Sequence, residues 1–217
     1  DNVDTRLRQS DFTTGVGARW LGFPIAELST LDRALVIGSF LRKDHPLFAS
    51  RLRQATKRGA QISAIGGVSD DWLMPLANRL TVAPSVWVQT LADVAAAEAA
   101  EKGANAPVAG HATDAAKAVA ASLLSGQRGA VLLGNAALQH PQASSLQALG
   151  QWIAEQTGAK LGFLGESANS VGAQLVGAQP QQGGLNAAQM LAGKGLKGIV
   201  LLGVEPEFDA ANPAAAM

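Results

Sequence analysis

The chain has 217 residues, of which 47% are hydrophobic and 16% are charged. This composition is typical of a globular protein, and no segment reaches the roughly 18 consecutive apolar residues of a membrane span. The 17 basic residues balance the 17 acidic ones, so no overall field attracts nucleic acid or an anionic membrane. The absence of cysteine excludes disulfides, thiolate metal sites and thiol nucleophiles within these residues.

The charges are spread unevenly along the chain. Residues 1–58 contain ten lysines and arginines against six acidic residues, and the remainder contains seven against 11. Such a polarity suits docking within an assembly, although chance clustering of solvated side chains produces it as well.

Five apolar segments that end at or near a glycine are predicted to be strands. Continuous apolar runs without alternation are typical of strands covered on both faces. The pattern therefore predicts an α/β fold with parallel, doubly wound sheets flanked by helices. The five segments are ALVIGS (34–39), QISAIGG (61–67), AVLLGN (130–135), KLGFLGE (160–166) and GIVLLGV (198–204).

Helical patterns separate these segments. Asp44 is predicted to cap a helix with Pro46 in its first turn and Gly59 at its end. Another helix is predicted to start within Pro141 to Ser144 and to end at Gly158.

An alanine-rich stretch at 95–126 predicts two helices joined by a Gly/Pro hinge, with a domain boundary near Ala106. Both ends of the sequence fall within continuing patterns, so an excised fragment is expected. The expected division is an irregular leading segment at 1–32, a first α/β domain at 33–105 and a truncated second α/β domain at 106–217.

Few residues have the spacing of a catalytic or metal site. His45, His111 and His140 are scattered without a second ligand at i+3 or i+4, and turn formation or solvation is the simpler interpretation. The loop GESANSVG (165–172) follows a predicted strand and could present N–H groups to a phosphate, but a structural turn is favoured.

Ligands of doubly wound sheets bind beyond the carboxyl ends of the strands. Here those ends are acidic, because Glu205, Glu207 and Asp209 follow the last predicted strand. A carboxylate about 6 Å from a phosphate costs on the order of 3 kcal/mol, so the crevice is predicted to be vestigial, without catalytic or metal-binding residues. Its candidate positions are Gly38, Gly134, Gly165, Glu166, Gly203 and Glu205, with Gly66 at a further strand end.

Several stretches resemble a known family. The large iron–sulfur subunit, or G subunit, of bacterial NADH:quinone oxidoreductase (respiratory complex I) is similar over nearly the full chain. The C-terminal region of that subunit is itself similar to the molybdopterin oxidoreductases. The stretches are NVDTRLRQSDF (2–12), VIGSFLRKDHPLFASRLRQATKRGAQI (36–62), VLLGNAALQHPQASSLQALGQWIAEQTGAKLGFLGESANSVGAQ (131–174), GLNAAQML (184–191) and LLGVEPEFD (201–209).

The resemblance implies a cofactor-free scaffold that supports assembly of the NADH-oxidising peripheral arm, on the cytoplasmic side of the bacterial inner membrane. The implied partners are other peripheral-arm subunits, without nucleic acid and without direct membrane insertion. Iron–sulfur clusters are expected only in an N-terminal part that these residues do not include. A basic helix face, formed by Arg51, Arg53, Lys57 and Arg58, is a candidate docking surface.

Two alternatives stay open at this point. In the first, the chain is an active molybdopterin-binding domain, and Ser10 or Asp11 ligates molybdenum where the related enzymes place a cysteine, selenocysteine, serine or aspartate. In the second, it is a stand-alone nucleotide-binding module that uses the loop at 165–172.

Overall fold

The structure is a computed structural model that describes residues 2–13, 18–165, 167–181, 183–193 and 195–216. Two compact units divide the chain. The sheet unit contains Trp20–Leu138 and Ser145–Leu164, and the smaller unit contains Asp1–Arg19, Gln139–Ser144 and Gly165–Met217. None of the helices in the described ranges is long and apolar enough to span a membrane.

The sheet unit is built on five parallel strands in the order β3-β2-β1-β4-β5. Central β1 pairs with β2 on one side and with β4 on the other, so that Ile37 lies level with both Ile65 and Leu133. The predicted α/β class with a parallel sheet is confirmed. The strands are β1 (Arg33–Ile37), β2 (Gln61–Gly66), β3 (Asn78–Thr81), β4 (Gly129–Leu133) and β5 (Lys160–Phe163).

Helices cover both faces of this sheet. Alternate strand residues such as Leu35 and Leu133 pack into one core with α3, α4 and α6, whereas Val36 and Leu132 pack into another with α1 and α2. The helices of these layers are α1 (Leu41–Asp44), α2 (Pro46–Thr56), α3 (Trp87–Lys102), α4 (Asp114–Leu124), α5 (Asn135–Leu138) and α6 (Ala143–Thr157), with 3₁₀ helices at Ile25–Thr30 and Pro84–Val86.

The helix predictions are confirmed with one correction. Helix α2 begins at Pro46, α6 ends just before Gly158, and two helices flank the hinge at 103–113. Asp44 does not cap α2, because its carboxylate accepts the N–H of Phe40 and closes the short helix α1 instead.

Two strand predictions were wrong. Strand β3 has no continuous apolar run, because it lies at the sheet edge with alternate residues half-exposed. The segment GIVLLGV (198–204) forms no strand, and it is largely exposed, with Val200 at 95% and Leu202 at 90%. Its apolar pattern predicted burial on two faces, but no strand in the described ranges pairs with it.

The division expected at 32 and 106 differs from the arrangement of the strands. Strand β4, which follows position 106, pairs along its whole length with β1, which precedes it. The strands on both sides of the hinge therefore share one sheet and one set of cores, so the hinge at 103–113 connects two helices of a single unit.

The smaller unit has short helices and is held together by the opening segment. Asn2 Oδ1 accepts the N–H of Leu185, and the carbonyl of Leu7 accepts the N–H of Ala211. The opening segment is thus an integral part of this unit. Its helices are α7 (Ser170–Leu175), α8 (Ala187–Leu191) and α9 (Pro206–Asp209), with a 3₁₀ helix at Pro213–Ala215.

Candidate functional site

The connections from β1 and β4 leave toward opposite faces of the sheet, which makes their carboxyl ends the topological switch point where α/β ligands bind. Gly38 and Gly134 lie here, as predicted. A Cβ on Gly134 would come within 2.4 Å of the Ser39 Cβ, and one on Gly38 within 2.6 Å of the Ala137 nitrogen. The lack of a side chain on these glycines therefore allows close packing within the protein, and it does not open space for a ligand.

Backbone hydrogen bonds close the same crevice. The N–H of Gly134 donates to the carbonyl of Ile37 at 2.8 Å, and the N–H of Ala136 donates to the carbonyl of Gly38 at 3.0 Å. The side chain of Trp87 also reaches Gly38, where an added Cβ would lie 2.8 Å from its ring. The amides of Gly134 and Ala136 are therefore already used by the fold.

Three buried polar atoms around the switch point have no hydrogen-bond partner among the described residues. They are the Ser39 Oγ, the Arg42 Nε and the Asn135 Oδ1. Buried polar groups are normally satisfied by protein or by ordered water. This corner therefore suits water or one small polar group. Sequence reasoning missed these residues, although Ser39 and Asn135 directly follow the predicted glycines.

Of the remaining crevice candidates, Gly165 follows β5 closely, and Gly66 is the last residue of β2. Nothing in the described ranges lies within 4 Å of a Cβ placed on either. Glu166 lies outside the described residues. The switch point thus brings together Gly38 and Gly134, with open space only beside the flanking strand ends.

Gly203 and Glu205 were assigned to the wrong position, because no strand precedes them. Glu205 is the N-cap residue of α9, and its N–H donates to Asp209 at 2.9 Å. Arg8 also donates to Asp209, at 2.6 Å. The Glu205 N–H and the Arg8 guanidinium lower the pKa of the Asp209 carboxyl. The acidic run at 205–209 therefore closes a helical turn and anchors the opening segment.

The opening segment contains the two candidate metal ligands, Ser10 and Asp11. Its side chains also make contacts that stabilise the fold. Asp4 pairs with Arg6 at 2.7 Å and accepts the N–H of Ala187 at 3.0 Å. Ser10 is exposed, and its hydroxyl donates to the carbonyl of Gln139 at 3.3 Å. Asp4 and Ser10 thus each bind a part of the chain that is remote in sequence.

Asp11 accepts four hydrogen bonds within the smaller unit. One of its oxygens accepts the N–H and the hydroxyl of Thr13 at 3.0 and 2.5 Å. The other accepts the N–H and the hydroxyl of Ser144 at 2.8 and 2.5 Å. Burial raises the pKa of Asp11, but these four hydrogen bonds lower it well below its ordinary value. Both oxygens are therefore already satisfied by protein donors.

Asp11→Ala is expected to lower the free energy of unfolding by about 1–2 kcal/mol, since it removes the acceptor of four hydrogen bonds from exposed Thr13 and half-buried Ser144. Because the folded-state pKa is depressed, this stability is present above about pH 4 and is lost as the pH falls below it. Urea unfolding between pH 3 and 7 measures both effects. The control Asp114→Ala removes a fully exposed carboxylate, and an equal loss in both variants would contradict the assigned role.

The three histidines do not form a site. His45 precedes α2 and stacks on Phe48, with 5.5 Å between ring centroids. Buried His140 accepts the N–H of Gln142 on its Nδ1, and His111 is exposed. No group of three or more His, Cys, Asp or Glu in the described ranges could hold a metal ion.

Within the loop predicted at 165–172, residues 167–169 form a turn that leads into α7. The N-cap residue Asn169 makes no side-chain cap, and a Cβ on Gly172 would meet its amide oxygen at 2.1 Å. The Asn169 side chain therefore fills the space in front of this short helix.

Glu98 is a buried carboxyl that sequence reasoning missed. It is fully buried on α3, and neither of its oxygens has a hydrogen-bond partner among the described residues. Burial raises the pKa of Glu98 to about 8, against an opposing effect of Lys102. The alanine-rich sequence around it resembles an exposed helix and gave no signal of this burial.

Two separate observations, one in each unit, count against a pterin dinucleotide with its metal. The switch point is closed by Trp87 and by α5, and the donors around Asp11 saturate the carboxylate that would serve as metal ligand. The atoms of Ser39, Arg42 and Asn135 that have no hydrogen-bond partner among the described residues are the groups here that a ligand or water could still bind.

Comparison with known proteins gives one family. The model of the molybdopterin oxidoreductases matches residues 1–216. No curated protein matches the sequence. Among solved structures, a chain of the formyltransferase/hydrolase complex of Methylorubrum extorquens, solved with methylofuran, is 16% identical with a TM-score of 0.41. That match covers 66% of this chain and 39% of the other. Through the family model, which spans almost every residue, the chain belongs to the molybdopterin oxidoreductase family.

Proposed function

We propose that this chain is a cofactor-free scaffold of the molybdopterin oxidoreductase family, and that it serves in the G subunit of a bacterial NADH:quinone oxidoreductase. One observation carries the proposal, namely that both oxygens of Asp11 are saturated by Ser144 and Thr13. A carboxylate that ligates molybdenum needs an oxygen directed at the metal. Here the carboxylate holds two remote parts of the chain together.

The rest of the opening segment supports the same interpretation. Arg8, Asp4 and Asn2 each bind a segment that lies more than 180 residues away in sequence. The segment thus holds the smaller unit together, and this structural role needs no cofactor chemistry. We infer the assembly from the sequence resemblance to the G subunit. In that assembly the chain contributes surface to the peripheral arm.

The basic face of α2 is the surface that suits this role. Arg53, Lys57 and Arg58 are exposed, whereas Leu52 and Ala55 on the same helix are buried against the sheet. In the described ranges none of these three basic residues forms an ion pair. An unneutralised basic face is suited to an acidic partner surface.

Affinity purification of the full-length parent subunit from its own host tests the proposal. We expect other peripheral-arm subunits and NADH-oxidising activity to co-purify with it. Growth in tungstate, which replaces molybdenum in molybdoenzymes, should leave that activity unchanged. A parent subunit that purifies without NADH-oxidising activity, and that carries a tungstate-sensitive oxidoreductase activity, would contradict the proposal.

The second candidate is an active molybdopterin-binding domain. The observation in its favour is the set of buried polar atoms on Ser39, Arg42 and Asn135, which have no partner among the described residues. Ordered water at this corner accounts for them equally well. The scaffold role is therefore the leading function.

A further inference from the structure

A second concave site lies at the opposite edge of the sheet, where the strands begin. A cavity of about 260 Å³ opens between Ser29 and Thr30, the turn at Arg58 and Gly59, and the Arg128 that precedes β4. Asp32, just before β1, forms another part of its wall. This volume is below the range of roughly 300–1,000 Å³ that small-molecule sites occupy, so the cavity suits one side chain and not a nucleotide.

Arginines dominate the charge of this cavity. Arg58 donates to the carbonyl of Ser29 at 3.3 Å, and Arg51 donates to the Ser29 hydroxyl at 3.4 Å. In the described part of the chain neither guanidinium forms an ion pair. Each guanidinium carries five N–H donors, so each has donors that these two hydrogen bonds do not use.

The single carboxylate of the wall is already engaged. Asp32 accepts the N–H groups of Gln127 and Arg128 at 3.1–3.2 Å, and its contact with the Arg128 Nε is 3.9 Å. Two guanidiniums that line the cavity, those of Arg58 and Arg128, therefore face one carboxylate that is fixed by the backbone. The cavity keeps an excess of positive charge after this internal pairing.

We propose that this cavity binds the carboxylate of a glutamate or aspartate side chain from an acidic segment of a partner polypeptide. An arginine fork matches a carboxylate in bidentate geometry, and the hydroxyl of Ser29 lies in the wall beside it. Arg53 and Lys57 extend the positive surface outside the cavity, which favours an acidic segment over a single free acid. The inference goes beyond the proposed function, because the site is expected whichever assembly the chain joins.

The test is an NMR titration of the ¹⁵N-labelled chain at low salt with the peptide acetyl-Gly-Glu-Gly-amide. We expect saturable shifts of the Thr30, Gly59 and Arg128 amides. Arg58→Glu should weaken binding about tenfold or more, because a charge-assisted pair becomes a repulsive one. Arg58 is exposed in the turn after α2. The uncharged variant Arg58→Gln should also weaken binding, because it removes the guanidinium without adding a repulsive charge.

The matched control is Arg53→Glu, which reverses an exposed charge on the same helix outside the cavity and should change binding less than threefold. The neutral peptide acetyl-Gly-Gln-Gly-amide should produce no saturable shifts. Equal losses in the two charge-reversal variants, or equal binding of the neutral peptide, would overturn the proposal. Tighter binding of inorganic phosphate or of free glutarate than of the glutamate peptide would overturn the polypeptide partner.

Discussion

Leu133→Ala is expected to lower the free energy of unfolding by about 2–5 kcal/mol, whereas Leu202→Ala is expected to change it by less than about 0.5 kcal/mol. The two leucines occupy the same place in an identical tetrapeptide, because VLLG occurs at 131–134 and again at 200–203. Leu133 is 1% exposed in a core of the sheet, and Leu202 is 90% exposed.

The physical reason is the environment and not the sequence. Truncating Leu133 removes apolar area that water does not reach and leaves a cavity between β4 and the helices that pack on it. Truncating Leu202 removes area that is already hydrated. Urea unfolding of the 217-residue chain, followed by tryptophan fluorescence, measures both variants. Similar losses would show that the segment at 198–204 is buried in the folded chain.

Glu98 is expected to make the stability of the chain fall as the pH rises from 5 to 8. Burial raises the pKa of this carboxyl to about 8, so in this range the folded state holds a proton that the unfolded state releases. The free energy of unfolding then decreases by up to about 1.4 kcal/mol per pH unit from this group. Below the ordinary glutamate pKa both states are protonated, and the contribution becomes constant.

Glu98→Gln should remove this slope, because the amide has nearly the same shape and does not titrate. The matched control is Glu101→Gln on the same helix, which is exposed and should leave the slope unchanged. Urea unfolding at several pH values between 5 and 8 provides the measurement. A wild-type slope that persists in Glu98→Gln would assign the pH dependence to another group.

The fold was largely predictable because three of its strands, β1, β2 and β4, are buried on both faces. Segments such as 34–39 and 130–135 are continuous apolar runs, and both form central strands. The failures have a common cause, since a strand also needs a partner. Strand β3 has one at the edge of the sheet and needs little apolar sequence, whereas 198–204 has the apolar sequence without a partner among the described residues.

The candidate site was less predictable, because it depends on contacts that are remote in sequence. Gly38 and Gly134 could be placed together from the strand pattern. The engagement of Asp11 by Ser144 spans 133 residues and has no local signature. The approach of Arg58 to Arg128 across one cavity likewise requires the strand order, which the pattern alone does not specify.

The central claim is that this molybdopterin-family fold works without the cofactor of its family. Elemental analysis for molybdenum and tungsten, together with pterin fluorescence, tests it most directly on the full-length parent subunit purified from its own host. The account predicts neither metal nor pterin, at any stoichiometry near one per chain. A stoichiometric metal with pterin would contradict it, and the hydrogen bonds of Asp11 to Ser144 and Thr13 would then have to open when the cofactor binds.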